Sequence, residues 1–183
     1  MNRLYSFAIL AMFVLHAGTA AATDKRKLQT QGDIITYILP LAAFGTAYFK
    51  DDSEGEKQWL RATVLHEALF TVLVLSFNQT SLGERPNGDS KNSFPSGHAG
   101  FAFAQAGFLQ ERYGWWYGAP AMVLAATVSY IRVDVDKHHW RDVIAGGALG
   151  YGCAWLTVTP QKATHLAPVI GPSWMGIRYE RSF

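Results

Sequence analysis

Apolar residues occur along the chain in long stretches that are separated by short polar segments. Apolar runs of this length indicate helices, because strands are usually much shorter. The first run contains Pro40, which predicts a kinked or broken helix. The sequence therefore predicts an all-α fold, a bundle of about five to six helices. Its main helices are expected at residues 33–49, 59–77, 97–112, 114–131 and 139–159.

The last segment of the chain, residues 165–183, has a different pattern. Large side chains alternate with small or charged ones from Met175 to Phe183, and this is the period of a β-strand. Residues 168–170 precede a Gly-Pro turn and are a candidate partner strand. We therefore expect a short β-hairpin-like C-terminal tail, which caps the bundle or contacts a partner.

Residues 1–22 have the pattern of a secretory signal peptide. A basic residue precedes a short apolar core, and the run Ala20–Ala22 provides a cleavage site. The alternative is an uncleaved first transmembrane helix. In both cases the chain enters a secretory pathway, with residues 23–164 as the helical domain and residues 165–183 as the tail.

Composition narrows the class of protein. Hydrophobic residues make up 49% of the chain and charged residues only 16%, against about 25% charged residues in soluble domains. This favours a membrane protein or a very apolar helical bundle. Aromatic residues, 14% of the chain, often lie near the ends of the apolar runs, as they do in an interfacial belt. The mean hydropathy of +0.03 is nevertheless low for a chain made mainly of spanning helices.

Charge and cysteine content bear on partners and cofactors. A net charge of +2 is too small to indicate a nucleic-acid partner, so we expect none. The single cysteine, Cys153, permits neither an internal disulfide nor a cysteine-based metal cluster. We expect no metal and no cofactor, and the oligomeric state is left open by the sequence.

The segment from Arg132 to Asp142 contains several groups that are costly to bury. His138 and Asp142 are four residues apart, so a helix that began near His138 would bring them onto one face. Asp142 could then hydrogen-bond the imidazole and fix which ring nitrogen faces a substrate. Arg132 would supply a cation across a loop. An ordinary surface pair has the same spacing, so this segment alone is a weak signal.

A second polar segment, Phe94–His98, precedes the third apolar run. Its Pro and Gly predict a turn that opens a helix, and a helix N-terminus is favourable for anions. Ser96 adds a hydroxyl group there, and His98 adds a titratable ring. Arg85 precedes this segment and offers a second guanidinium group. One arginine can bind two phosphate oxygens at once through its guanidinium group. These groups together therefore predict a site for a tetrahedral oxyanion.

The expected topology brings these segments together. The second helix ends before Arg85, the third begins near His98, and the fourth ends before Arg132, where the fifth begins soon after. In an up-and-down bundle these four helix ends lie on the same side. The polar segments are therefore expected to meet at one end of the bundle.

The motifs resemble those of the type 2 phosphatidic acid phosphatases, which share their site with bacterial class A acid phosphatases and vanadium haloperoxidases. The family pattern is Lys-x6-Arg-Pro, then Pro-Ser-Gly-His, then Ser-Arg-x5-His-x3-Asp. In this chain the corresponding residues are Arg85-Pro86, then Pro95-Ser96-Gly97-His98, then Arg132-x5-His138-x3-Asp142. The order and the internal spacings match the family pattern.

Two positions depart from the family pattern. Asn78 stands where the family has its leading lysine, and Ile131 stands where it has a serine. The loss of the lysine removes one cation from the expected phosphate site. Lys91 or Lys137 could take its place.

The resemblance implies a metal-independent phosphatase that works through a phosphohistidine. His138 would attack phosphorus, Asp142 would hold its ring, and His98 would protonate the leaving oxygen and then activate water. The phosphate oxygens would be bound by Arg85, Arg132, Ser96 and the Gly97 amide, with Asn78 at the lysine position.

The substrate expected from the apolar helices is a phosphate-bearing membrane lipid, such as phosphatidate, phosphatidylglycerophosphate, a polyprenyl pyrophosphate or a lipid A phosphate. The chain would then lie in the bacterial inner membrane, with its site facing the periplasm. The alternatives are a soluble periplasmic phosphatase for small phosphate esters and a phosphate-headgroup binder that has lost turnover.

Overall fold

The computed structural model describes residues 25–161 together with the backbone of residues 165–170 and 175–180. The signal peptide predicted for residues 1–22 lies outside the described residues. The helices confirm the predicted all-α bundle. In chain order they are α1 (Lys25–Phe49), α2 (Ser53–Phe77), α3 (Gly97–Tyr113), α4 (Trp115–Asp134) and α5 (Trp140–Thr157).

α1 and α2 both begin earlier than expected, at Lys25 instead of residue 33 and at Ser53 instead of residue 59. α1 continues through Pro40 without a break, since residues on both sides of it, Leu39 and Ala43, are buried in the core. α2 begins at Ser53, within the charged segment that was expected to form a loop. The physical reason is a cap, because the Asp52 carboxylate accepts a hydrogen bond of 2.9 Å from the Gly55 amide.

α3 is the central helix of the bundle and packs against each of the other four helices. Small side chains make this possible, because they allow neighbouring helices to approach α3 closely. The fully buried apolar residues of α3 include Ala99, Ala102, Ala106 and Phe108.

Two glycines of α5 set its distance from α3. A Cβ atom on Gly150 would lie 1.9 Å from the Gly100 carbonyl oxygen, and one on Gly146 would lie 2.3 Å from the Ser96 carbonyl oxygen. Neither position can therefore accept a side chain without separating the helices. This close contact brings the start of α5 against the start of α3.

A buried ion pair fastens the opposite end of the bundle. The Arg112 guanidinium donates to the Asp52 carboxylate through Nε at 2.7 Å, and Arg112 Nη1 donates to the Thr159 carbonyl oxygen at 2.9 Å. Tyr113 also donates its hydroxyl hydrogen to Asp52, at 2.9 Å. The α1–α2 connection, the end of α3 and the segment after α5 are thus held together.

α1 and α2 leave much of their apolar surface uncovered. Both are long and apolar enough to cross a membrane, and only 11% of the most apolar 18-residue stretch of α2 is buried inside the bundle. Their large exposed side chains include Tyr37, Leu41, Phe49, Val64, Val72 and Leu75. Apolar surface of this extent is typical of contact with lipid or with another apolar surface.

The C-terminal segment contains two strands, β1 (His165–Ile170) and β2 (Met175–Glu180), which pair antiparallel. Ile170 pairs with Met175 at one end of the two strands, and His165 pairs with Glu180 at the other end. The two strands of the predicted hairpin are therefore paired. Its expected role as a cap or a partner contact stays a prediction.

Candidate active site

The three polar segments meet at one end of the bundle, as the topology predicted. The Asn87 amide, in the loop after α2, donates to the Asp136 carbonyl oxygen at 3.2 Å, and this oxygen lies in the turn between α4 and α5. The Ser96 amide, at the start of α3, donates to the Asp142 carbonyl oxygen at 2.9 Å. These backbone bonds join all three motifs directly.

His138 lies in the turn that precedes α5, and its side chain is only 3% exposed. Its Nδ1 atom lies 2.8 Å from the carbonyl oxygen of Ser93. A carbonyl oxygen can only accept, so Nδ1 carries the hydrogen and Nε2 of a neutral ring keeps its lone pair. The backbone of Ser93 therefore fixes the tautomer in which Nε2 is the nucleophilic nitrogen.

The expected direct hydrogen bond between Asp142 and His138 does not form in this structure. The carboxylate oxygen Oδ2 lies 4.0 Å from Nδ1 of His138, which is beyond hydrogen-bonding distance. The cause is the helix boundary. α5 begins at Trp140, so His138 lies outside the helix and does not share a face with Asp142.

Asp142 instead organises the backbone around His138. Its fully buried Oδ2 atom accepts hydrogen bonds from the Ser93 hydroxyl at 2.6 Å and from the His139 amide at 2.8 Å. The carboxylate thus holds the same residue whose carbonyl oxygen binds His138. Sequence analysis missed Ser93, because its contact with His138 is made by a backbone oxygen that any residue could supply.

His98 lies in the first turn of α3 and contacts an acidic residue of α1. Its Nε2 atom lies 3.1 Å from Oδ1 of Asp33, and the same oxygen accepts a hydrogen bond of 3.0 Å from Arg132 Nη1. Asp33 therefore joins a candidate general acid to a candidate phosphate ligand. Sequence analysis missed Asp33, and the only signal was an acidic residue at the start of an apolar run.

Both candidate arginines carry a buried N–H group that lacks a partner. Nε of Arg85 and Nε of Arg132 are buried and make no hydrogen bond within the described part of the chain. An unpaired buried donor is costly, and a bound anion or water is one way to satisfy it. Together they offer donors and positive charge to an anion at this end of the bundle.

The remaining candidate residues have different environments. Ser96 is fully buried and caps α3, with its Oγ atom 3.5 Å from the Ala99 amide, and Gly97 is the first residue of that helix. Asn78 ends α2 and makes no hydrogen bond or ion pair to the other candidates among the described residues. Lys137 pairs with Asp89, and Lys91 is exposed.

Burial and the arginines control the charge of both imidazoles. Burial, together with the charges of Arg132 and Arg85, lowers the pKa of His138 to about 3, against the opposing hydrogen bond to Ser93. Burial and the same two arginines also lower the pKa of His98, whereas Asp33 raises it. In the free protein at neutral pH, His138 is therefore uncharged and available as a nucleophile.

No group of three or more His, Cys, Asp or Glu side chains that could hold a metal ion occurs within the described residues. The groups that the site does contain are imidazoles, guanidinium groups and the start of α3. A buried neutral imidazole with a fixed tautomer, next to unpaired guanidinium donors, can attack an electrophile that carries several negative oxygens.

Comparison with known proteins gives a consistent result. The family model described as the PAP2 superfamily matches residues 41–164. The chain is 28% identical over 158 residues to a lipid A 4'-phosphatase of Helicobacter pylori, covering 81% of this chain and 79% of that protein. It is 31% identical over 136 residues to a lipid A 1-phosphatase of Porphyromonas gingivalis, covering 72% of this chain but only 30% of that protein.

A solved structure has the same fold. The crystal structure of Aquifex aeolicus LpxE matches with a TM-score of 0.59 and 24% sequence identity, covering 81% of this chain and 93% of that chain. The match covers the greater part of both chains, and it supports the helical arrangement described above.

Proposed function

The chain belongs to the PAP2 superfamily and is a phosphatase of that type, and we propose that it removes phosphate from a membrane lipid through a phosphohistidine on His138. The observation that carries the mechanism is the contact between Nδ1 of His138 and the Ser93 carbonyl oxygen at 2.8 Å. It leaves the Nε2 lone pair as the nucleophile in a site with two unpaired arginine N–H groups.

In the first step, Nε2 of His138 forms a bond to phosphorus while the bond from phosphorus to the leaving oxygen breaks. His98 gives a proton to that oxygen, so the lipid leaves as an alcohol. Arg85 and Arg132 bind the phosphoryl oxygens as negative charge builds on them. The positive charge of the phosphorylated imidazole is offset by the phosphoryl group that it carries.

In the second step, water attacks the phosphohistidine. His98, now neutral, takes a proton from the attacking water, and the bond between phosphorus and Nε2 breaks. Inorganic phosphate leaves, and both histidines return to their starting forms. The cycle therefore uses one water molecule for each phosphorylated lipid and needs no other reactant. Asp142 keeps the Ser93 backbone in position throughout, through its hydrogen bonds to the Ser93 hydroxyl and the His139 amide.

The substrate class we propose is a lipid of the lipid A type, a phosphorylated glycolipid. Two kinds of observation support this choice. Both relatives described above are named lipid A phosphatases. α1 and α2 expose apolar faces that would contact lipid next to the site, which is expected of an enzyme whose substrate stays in a membrane.

The site then lies at a membrane surface. The start of α1 and the end of α2 flank the same end of the bundle as His98 and His138. With an N-terminal segment of the secretory type, that end would face the periplasm, and the phosphorylated headgroup would reach the site from the outer surface of the inner membrane.

The test is phosphate release by the full-length protein purified in detergent, with a chelator present. The panel contains bisphosphorylated lipid A, phosphatidate and p-nitrophenyl phosphate, with mass spectrometry to identify which lipid A phosphate is removed. His138→Ala is compared with His139→Ala, the neighbouring histidine, which caps α5 and takes no part in the proposed steps.

We expect lipid A to be the best substrate and His138→Ala to lower its turnover by at least about 10³-fold. His139→Ala should stay within about tenfold of the starting protein. Turnover of p-nitrophenyl phosphate alone would instead indicate a soluble-ester phosphatase. Full activity of the His138→Ala variant would rule out the phosphohistidine.

A further inference from the structure

Asp33 is an acidic side chain of α1 that lies between two groups of the proposed site. Its Oδ1 atom is 3.0 Å from Arg132 Nη1 and 3.1 Å from His98 Nε2. None of the three family motifs contains this residue, since it lies 45 positions or more before them in the chain. The contact therefore adds a second carboxylate, on α1, to a site built from the loops and helices that follow it.

We propose that Asp33 is the positioning residue of the general acid: its carboxylate holds His98 through Nε2, leaves Nδ1 to exchange the proton with the substrate oxygen, and supplies the negative charge that the imidazolium needs. This inference rests on the proposed function, in which His98 is the group that protonates the leaving oxygen.

Geometry favours this role. An ionised carboxylate can only accept, so its 3.1 Å contact with Nε2 favours a hydrogen on that nitrogen. The other nitrogen, Nδ1, makes no hydrogen bond within the described residues and is the one that can give or take a proton. Asp33 thus does for His98 what the Ser93 carbonyl oxygen does for His138, because each fixes one ring nitrogen and leaves the second for chemistry.

Electrostatics gives Asp33 a second effect. His98 has positive neighbours on two sides, Arg132 from α4 and Arg85 from the loop before α3, and both disfavour its protonated form. Asp33 from α1 is the counter-charge. On the α2 side, His66 approaches Gly100, two residues further along α3. From the start of α5, His138 and Asp142 face the same end of the bundle.

Loss of the Asp33 charge should therefore make His98 a less effective general acid. The imidazolium would form less readily beside two guanidinium groups, because an opposite charge within about 4–6 Å normally raises a histidine pKa. Turnover needs protonated His98 in the first step and so falls as pH rises through its pKa. This decrease in turnover at high pH is the alkaline limb of the pH profile. Without Asp33, the alkaline limb must move to lower pH.

The test is the pH dependence of kcat for Asp33→Asn, Asp33→Glu and Asp134→Asn, measured with full-length protein on p-nitrophenyl phosphate and on lipid A. Asp134 is a matched control, because it is an exposed acid at the same end of the bundle. We expect the alkaline limb to move down by about one pH unit in Asp33→Asn. At pH values above the pKa of His98, a shift of one unit corresponds to about a tenfold lower turnover than in the starting protein. Asp33→Glu and Asp134→Asn should keep the original limb.

A second measurement does not depend on the variants folding. The imidazole nitrogens of His98 in the isotope-labelled protein are observed by NMR, with inorganic phosphate as the added probe. We expect the tautomer with hydrogen on Nε2 in the free protein and the imidazolium when phosphate is bound. The opposite tautomer would overturn the proposal.

Two kinetic outcomes would also overturn it. Asp33→Asn could keep the alkaline limb, in which case Asp33 does not support the acid. It could instead bind substrate more tightly with undiminished turnover, in which case the carboxylate merely competes with phosphate for Arg132. A wild-type protein that releases no phosphate from any substrate would count against the proposed function, which separates the two failures.

Discussion

The carbonyl oxygen of Ser93 lies 2.8 Å from Nδ1 of His138. The hydroxyl group of the same serine donates to Asp142 at 2.6 Å, so one residue links the carboxylate to the imidazole through its own backbone. The direct distance from Asp142 Oδ2 to the ring is 4.0 Å. The carboxylate therefore acts on the nucleophile indirectly, through Ser93.

This indirect link predicts a moderate effect of Asp142→Ala on catalysis. The variant loses the bonds to the Ser93 hydroxyl and the His139 amide, but the carbonyl bond to His138 can persist. We expect kcat to fall by about 10- to 100-fold, less than the roughly 10⁴-fold drop reported where a carboxylate holds the base directly. Steady-state kinetics on p-nitrophenyl phosphate measures this.

The matched variant for that prediction is Ser93→Ala, which removes the hydroxyl group and keeps the carbonyl oxygen. It should lower kcat by less than about tenfold, since the bond to His138 is retained. A 10⁴-fold loss in Asp142→Ala, with an intact fold by circular dichroism, would contradict the indirect link and require the carboxylate to touch the ring.

The pKa of His138 predicts how stability depends on pH. Burial lowers this pKa to about 3, below the ordinary value of 6.5 that the unfolded chain has. Between these values the unfolded state binds a proton that the folded state does not, so the free energy of unfolding falls as pH falls from 6.5. The slope is at most about 1.4 kcal/mol per pH unit and is absent above pH 6.5.

The measurement is the melting temperature in detergent from pH 7.5 to 4.5, for the starting protein and for His138→Gln. The variant should lose less stability over this interval, because glutamine does not titrate. Identical pH profiles for the two proteins would show that His138 is not held in its neutral form.

The unpaired guanidinium N–H groups predict how phosphate binding responds to lysine. Arg85→Lys keeps the charge but removes the buried Nε donor and the planar fork. Inhibition by inorganic phosphate should weaken by about 10-fold or more, in line with about 1.5–3 kcal/mol for a charge-assisted hydrogen bond. Arg141→Lys, at a half-exposed arginine of the same end, is the control and should change inhibition by less than about threefold.

The parts of the fold that sequence predicted are those determined by long patterns. Apolar runs predicted all five helices of the described residues, and the up-and-down order of those runs placed the three motifs at one end. These features depend on many residues at once, so an error of a few residues at a boundary does not change them.

The parts that sequence missed depend on single contacts between distant positions. The role of Asp33 could not be predicted from its neighbours in the sequence, because its partner Arg132 lies 99 residues away. Ser93 acts through a carbonyl oxygen, which no residue type signals. The helix boundary before Trp140 moved His138 off the face of Asp142, and a shift of this size is within the usual uncertainty of a helix end.

The ion pair at the far end of the bundle predicts a stability effect without a catalytic one. Asp52→Ala leaves Arg112 buried without its counter-charge, and breaking a buried pair costs about 3–5 kcal/mol. The melting temperature should fall clearly, while kcat measured well below it should stay within about twofold. Glu54→Ala, which removes the exposed pair with Arg61, should cost less than about 1 kcal/mol.

The two glycines at positions 150 and 152 of α5 predict opposite outcomes for the same substitution. A Cβ atom on Gly150 would lie 1.9 Å from the Gly100 carbonyl oxygen, whereas one on Gly152 would meet nothing within 4 Å. Gly150→Ala must push α5 away from α3 and so disturb the contact between Ser96 and Asp142 at the site. Gly152→Ala should instead stabilise the helix by up to about 1 kcal/mol, the difference in helix propensity. Melting temperature and kcat should therefore both fall in Gly150→Ala, whereas the melting temperature should rise slightly in Gly152→Ala at unchanged kcat. Equal melting temperatures for the two variants would mean that α3 and α5 are not in this close contact.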